Sequence, residues 1–192
     1  MSNRRSWLSY LAWHLTIKPR LKRIQREFPG AKVYPTGSRY VCDPPHFDTD
    51  VDFLVYSSCA GTPITPKLTF FETLTALPAY RRTTLHYQDN REFQAYRRGV
   101  VNLIVTSDAR FAERFIAATH YCKQYNLHNK MDRILIHEAF RFNAKDNKQI
   151  YNLDCAPSII REFVTKMTGP YGNAFYQIYK ATHDIKGPED DL

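Results

Sequence analysis

Long apolar runs are missing from this 192-residue chain. No stretch approaches the roughly 18 uninterrupted apolar residues that a membrane-spanning helix needs, so no membrane partner is expected. Cysteine is scarce: Cys42, Cys59, Cys122 and Cys155 lie far apart, with no Cys-x-x-Cys pair. That spacing excludes the usual zinc motifs and a disulfide framework, and it suits free thiols in a reducing, cytoplasmic setting. Acidic residues are outnumbered, with 19 Asp and Glu against 27 Lys and Arg, which leaves a formal charge of +8. Such a surplus points to an anionic partner. Internal repeats and low-complexity tracts are absent as well, which excludes solenoid and fibrous architectures.

Hydrophobic residues make up 43% of the chain and aromatics 14%, enough for a packed core and too much for a disordered basic tail. One domain is the expectation, over residues 1–186: N-terminal helices at 1–30, a sheet core at 31–107, C-terminal helices at 108–186, and an acidic tail at 187–192. The run Trp7 to Ile17 behind Arg4 and Arg5 superficially copies a secretory leader. His14 interrupts it, however, and basic residues follow without a small-residue cleavage site, so it reads as a helix.

Leu8, Leu11 and Leu15, then Leu21, Ile24 and Phe28, recur at helical spacing on either side of Pro19, and Pro29-Gly30 stops the second piece. Ala31 to Tyr34 and Val51 to Tyr56 read as strands. Ser57 to Pro66 reads as a loop and Leu68 to Leu77 as a helix. Three β-rich runs follow at Arg82 to Tyr87, Glu92 to Arg97 and Val100 to Val105, the last two joined as a hairpin through Arg98-Gly99. Thr106, Ser107 and Asp108 offer an N-cap for a helix carrying Phe111, Phe115, Ala118, Cys122 and Tyr125 on one face. Further helices are expected at Met131 to Phe142, Ser158 to Met167 and Ala174 to Thr182. This order is that of an α+β domain with a mixed, mostly antiparallel sheet flanked by helices.

The chemistry-bearing segment is Gly37-Ser38, the spacer Arg39 to Thr49, then Asp50-Val51-Asp52 at the start of a strand. Side chains alternate along a strand, so Asp50 and Asp52 share a face about 7 Å apart along the chain while Val51 and Phe53 point to the core. Carboxylates so placed can share divalent cations of the kind that promote phosphoryl transfer. A Gly-Ser turn complements them, because glycine lets the backbone approach a phosphate closely and the serine hydroxyl can hydrogen-bond its oxygens.

Gly37, Ser38, Asp50 and Asp52, with this spacer and this strand, resemble the signature of the DNA polymerase β-like nucleotidyltransferase superfamily. Tyr96 to Asp108 (YRRGVVNLIVTSD) and Asn126 to Ile134 (NLHNKMDRI) are also similar to small phage-type nucleotidyltransferases. The resemblance implies the minimal nucleotidyltransferase fold and transfer of a nucleoside monophosphate from an NTP to a hydroxyl acceptor, with Mg²⁺ (or Mn²⁺) held by Asp50 and Asp52. It also implies a third carboxylate from a neighbouring strand, and by order in the chain that place falls on Asn102, whose amide carries no charge and cannot act as a base. Asp48 or Glu92 could stand in for it. Arg39 could touch the triphosphate, and Lys123, Lys130 and Arg133 stand where relatives of this fold place basic residues on it.

RNA is the first expected acceptor, because Lys18, Arg20, Lys22, Arg23 and Arg26 form a basic run without an acid among them. A protein hydroxyl is the second. Tyr80, Tyr87, Phe93 and Tyr96 interleave with Arg81, Arg82, Arg97 and Arg98 as base-stacking surfaces do, and as core strands also do. His14, His120 and His137 lack ligand spacing and read as structural. The competing reading, from a different class, is a nucleotidyltransferase scaffold without chemistry that binds nucleic acid or protein; Asn102 favours it.

Overall fold

A computed structural model of the chain describes residues 6–58, 63–65, 68–69, 81–83, 93–141 and 156–187. The chain divides into two compact units, Met1–Ala112 and Glu113–Leu192.

The first unit opens with a continuous helical rod: α1 (Trp7–Leu11), a π-helical stretch (Ala12–Ile17) and α2 (Lys18–Glu27). Pro19 lies in the first turn of α2, where its missing N–H is tolerated. The wider turn precedes it: the Lys18 amide reaches back five residues to the Trp13 carbonyl. Ser6 caps α1, accepting from the Ser9 amide at 3.4 Å. Asp43 anchors that end by accepting from the Ser6 amide at 2.8 Å, from the Ser6 hydroxyl, and from the Ser9 hydroxyl at 2.9 Å.

Five strands form the sheet: β1 (Lys32–Thr36), β2 (Val51–Tyr56), β5 (Arg81–Thr83), β6 (Gln94–Arg98) and β7 (Val101–Thr106), in the order β1-β2-β7-β6-β5. β2 and β7 run parallel, and the other neighbours are antiparallel. The unit is thus α+β with a mixed sheet. The expected β6–β7 hairpin forms, but its turn lies one residue later than Arg98-Gly99: Arg98 pairs with Val101 in the ladder, and Gly99, at φ +56°, makes the turn with Val100. Ile17, Ile24 and Phe28 of the helical rod pack with Val33, Val51, Phe53, Val55, Tyr96, Val101, Leu103 and Val105 in one core. Val51 and Phe53 therefore face inward, as strand alternation requires, which leaves Asp52 and Asn102 on the opposite face.

Two expectations between the strands are corrected. Pro63–Thr65, expected in a loop, is strand β3, and it pairs antiparallel with Leu68–Thr69 (β4), expected to open a helix. The β-branched Ile64, Thr65 and Thr69 suit extended backbone, and at Leu68 ladder pairing overrode the three-residue spacing of Leu68, Phe71, Leu74 and Leu77 on which the helix expectation rests. Residues 70–77 lie outside the described residues. The expected stacking surface is corrected too: Phe93 and Tyr96 are buried, and Phe93 stacks on Phe111 with ring centroids 5.1 Å apart. Tyr80 and Tyr87 lie outside the described residues.

Asp108 accepts from the Phe111 amide at 3.0 Å and so caps α4 (Ala109–Gln124), which opens in the first unit and continues into the second. The second unit adds α5 (Lys130–Arg141), α6 (Ser158–Thr168) and α7 (Gly172–Thr182). Its core is aromatic: Tyr121 stands 4.1 Å from Phe163, which stacks on Phe140 at 4.8 Å. Buried Arg114 donates there from Nη1 to the Phe140 carbonyl at 2.9 Å and from Nη2 to Asn173 Oδ1 at 2.8 Å, with its guanidinium over the Tyr176 ring. Among the described residues no helix is long and apolar enough to cross a membrane.

Candidate functional site

Strand register assembles the acidic centre. Asp52 in β2 stands beside Asn102 in parallel β7, and Asn102 stands opposite Arg97 in antiparallel β6. Neighbouring positions in a sheet project to the same face, so these three side chains meet, and Asp50 joins them two residues before Asp52. Asn102 Nδ2 donates to Asp50 Oδ2 at 3.1 Å and to Asp52 Oδ1 at 3.0 Å. One amide thus bridges both acids. Arg97 Nη2 pairs with Asp50 Oδ1 at 3.1 Å.

Gly37 closes the other side. Its φ of +72° is left-handed, and a Cβ built there would lie 2.7 Å from Asp52 Cγ and 2.9 Å from Asp52 Cβ, so both conformation and space require glycine. Gly37 also opens the short helix α3 (Gly37–Val41) directly after β1, whose last residue Thr36 pairs with Asp52. The Gly-Ser turn and the second acid of the pair are therefore in contact.

Ser38 and Arg39 face the spacer. Buried Ser38 has its hydroxyl 2.9 Å from Thr49 Oγ1, which itself donates to the His46 carbonyl at 2.8 Å. Arg39 Nη2 donates to the Phe47 carbonyl at 2.5 Å and to the Thr49 carbonyl. Burial, and then Arg20, lower the Arg39 guanidinium below its ordinary value against the opposing pull of Asp50, Asp52 and Asp48. The side chain expected on a triphosphate thus fastens the loop that delivers Asp50. Asp48 is exposed. Glu92 lies outside the described residues.

Lys123, Lys130 and Arg133 belong to the second unit. Lys123 is in the last turn of α4 and Lys130 opens α5, exposed. Arg133 Nη1 donates to the Leu127 and His128 carbonyls at 2.9 and 2.6 Å, clasping the turn between those helices. On α2, Arg20 bonds the Thr16 carbonyl at 2.8 Å and Arg23 pairs with Glu27 at 2.9 Å. Lys18, Lys22 and Arg26 form a row at i, i+4 and i+8, with Arg26 Nε donating to the Lys22 carbonyl at 3.3 Å.

Arg97 and Thr49 are the residues that sequence reasoning did not assign to the site. The signal that could have found Arg97 is the hairpin, but only with its turn at Gly99-Val100, which sets residue 97 opposite residue 102; the expected turn at Arg98-Gly99 would set it opposite residue 100. Thr49 had none, since its role depends on how the spacer folds back.

Asp50 and Asp52 offer hard carboxylate oxygens converging on one point, a donor set that fits Mg²⁺ or Mn²⁺. Asn102 can present either end of its amide, donating to the acids or offering Oδ1 to a cation. No protein-family model matches the chain, and no curated protein matches it.

Proposed function

We propose that this chain is a metal-dependent nucleotidyltransferase of the minimal nucleotidyltransferase fold, moving a nucleoside monophosphate from an NTP to a hydroxyl acceptor. The acceptor oxygen bonds to the α-phosphorus, the bond to the β-phosphate oxygen breaks, pyrophosphate leaves and the hydroxyl proton passes to solvent. The observation that supports this reading most is the close approach of Gly37 to the Asp52 carboxylate, which sets the Gly-Ser turn beside a pair of acids. Asp50 and Asp52 would hold the cation, which supplies charge neutralisation and a lower acceptor pKa when bound. The chain's own residues do the positioning: Asn102 orients both carboxylates, Gly37 opens space at Asp52, and Arg39 with Thr49 fixes the loop leading to Asp50. RNA is the favoured acceptor, on the strength of Lys18, Lys22 and Arg26, with a protein hydroxyl second.

A second reading, a scaffold that binds nucleic acid or protein without chemistry, is favoured by the uncharged Asn102 between the acids and by the Arg97–Asp50 pair. One experiment separates the two. The protein is incubated with each α-³²P-labelled NTP, Mg²⁺ or Mn²⁺, and total RNA or lysate protein. Label transferred to an acceptor, and lost in Asp50→Ala with Asp52→Ala, supports the enzyme. Nucleotide bound without transfer to any acceptor supports the scaffold.

A further inference from the structure

We infer that Arg97 is a built-in competitor of the divalent cation at Asp50, so that a guanidinium from the β6–β7 hairpin sets how readily the acidic pair takes up metal. The inference rests on the metal-binding reading of Asp50 and Asp52. Arg97 is held in place from two sides. Its Nε donates to the Gly99 carbonyl at 2.9 Å, which fixes the guanidinium against its own turn, and its Nη2 reaches Asp50 Oδ1 at 3.1 Å. With Asn102 Nδ2 on Oδ2, both oxygens of Asp50 are engaged, one of them by a full positive charge.

A cation shared by Asp50 and Asp52 needs lone pairs of that same carboxylate. It would also sit within a few ångströms of the guanidinium, where two positive centres repel strongly. Uptake of metal therefore requires Arg97 to leave Asp50. The Arg97 side chain is 51% exposed, so it can withdraw into water at small desolvation cost. In the metal-free protein the same guanidinium offsets the repulsion between two carboxylates on one strand face.

The test uses the full chain and Mn²⁺ alone, with free Mn²⁺ followed by its paramagnetic resonance signal. Arg97→Gln is expected to bind Mn²⁺ about two- to fivefold more tightly than the native chain, the range set by release from a partly exposed ion pair. Arg97→Lys, which keeps the charge, is expected to stay near the native affinity, and Arg97→Met, which removes the charge and keeps the aliphatic stem, is expected to tighten binding as Arg97→Gln does and carries the test if Arg97→Gln fails to fold. Equal or weaker binding in Arg97→Gln, or tightening in Arg97→Lys to the same degree, overturns the inference. Asp50→Asn with Asp52→Asn provides the separate arm. If that variant loses Mn²⁺ while Arg97→Gln changes nothing, the metal reading stands and the Arg97 inference falls; if it binds Mn²⁺ as the native chain does, the metal reading itself falls and takes the inference with it.

Discussion

Gly37 and the Asp52 carboxylate are in contact across two segments joined by the Arg39-to-Thr49 spacer, so closely that a methyl group at 37 would stand 2.7 Å from Asp52 Cγ. The turn and the acid form one unit, and a substitution in either is felt by the other.

Gly37→Ala combines a left-handed backbone, which costs an L-residue about 1–2 kcal/mol, with displacement of Asp52. Urea unfolding is expected to show a loss of at least that size, and Mn²⁺ affinity is expected to fall in the same variant. Unchanged values for both would show that the turn is looser than its geometry.

Arg39 is expected to act as a clasp for the spacer. Arg39→Gln removes the donor from the Phe47 and Thr49 carbonyls, and an unsatisfied acceptor costs about 1–3 kcal/mol where it is shielded from water. The unfolding midpoint should drop, and the KM for NTP should rise only as far as Asp50 loses its place. A large KM effect with an unaltered midpoint would mean that Arg39 serves the triphosphate directly.

His137 gives the second unit a pH dependence. Its Nδ1 is buried without a hydrogen-bond partner among the described residues, and its ring lies 4.3 Å from that of Phe115. Burial first, and Arg133 second, push its pKa down to about 3. The unfolded chain takes up this proton near pH 6.5, so the unfolded form binds more protons between the two values. The contribution of His137 to stability is therefore complete above about pH 6.5 and is lost as pH falls toward 3. Urea midpoints measured across that window should decline less steeply in His137→Leu than in the native chain. Superimposable slopes would contradict the assignment.

Lys18, Lys22 and Arg26 are expected to track a nucleic-acid backbone. Binding of a labelled single-stranded RNA, measured as log K against log salt, should lose about 2 units of slope when all three are changed to Gln, since each phosphate contact contributes about 0.7. Arg23→Gln should matter little, because Arg23 pairs with Glu27. A loss from Arg23→Gln of about one third of that in the triple variant would point to net charge alone.

The acidic pair could be read from the sequence because its evidence is local: Asp-x-Asp at the head of an apolar strand fixes the shared face by alternation alone. The existence of the hairpin was legible for the same reason, although its turn falls at Gly99-Val100 rather than Arg98-Gly99, and so was the cap at Asp108. What the sequence did not reveal depends on contacts between distant segments. The position of Asn102 beside Asp52 follows from a parallel register that no short-range pattern encodes, although chain order pointed to the residue. Arg39 and Ser38 were assigned to phosphate by type, whereas the structure turns both toward the spacer. Leu68 and Thr69 show the limit of periodicity, since a leucine ladder that suited a helix begins in a strand.

The parallel pairing of β2 with β7 has a consequence for how the centre comes into being. Asp52 lies on the first strand of that pair and Asp50 immediately before it, while the amide that bridges them and the guanidinium that neutralises one of them arrive on a hairpin made later in synthesis. Until that hairpin docks, Asp50 lacks the Arg97 guanidinium and both acids lack the amide that bridges them. Non-local pairings are slow because loop closure must precede the contacts that reward it. The acidic centre is therefore complete only once β7 has paired with both β2 and β6.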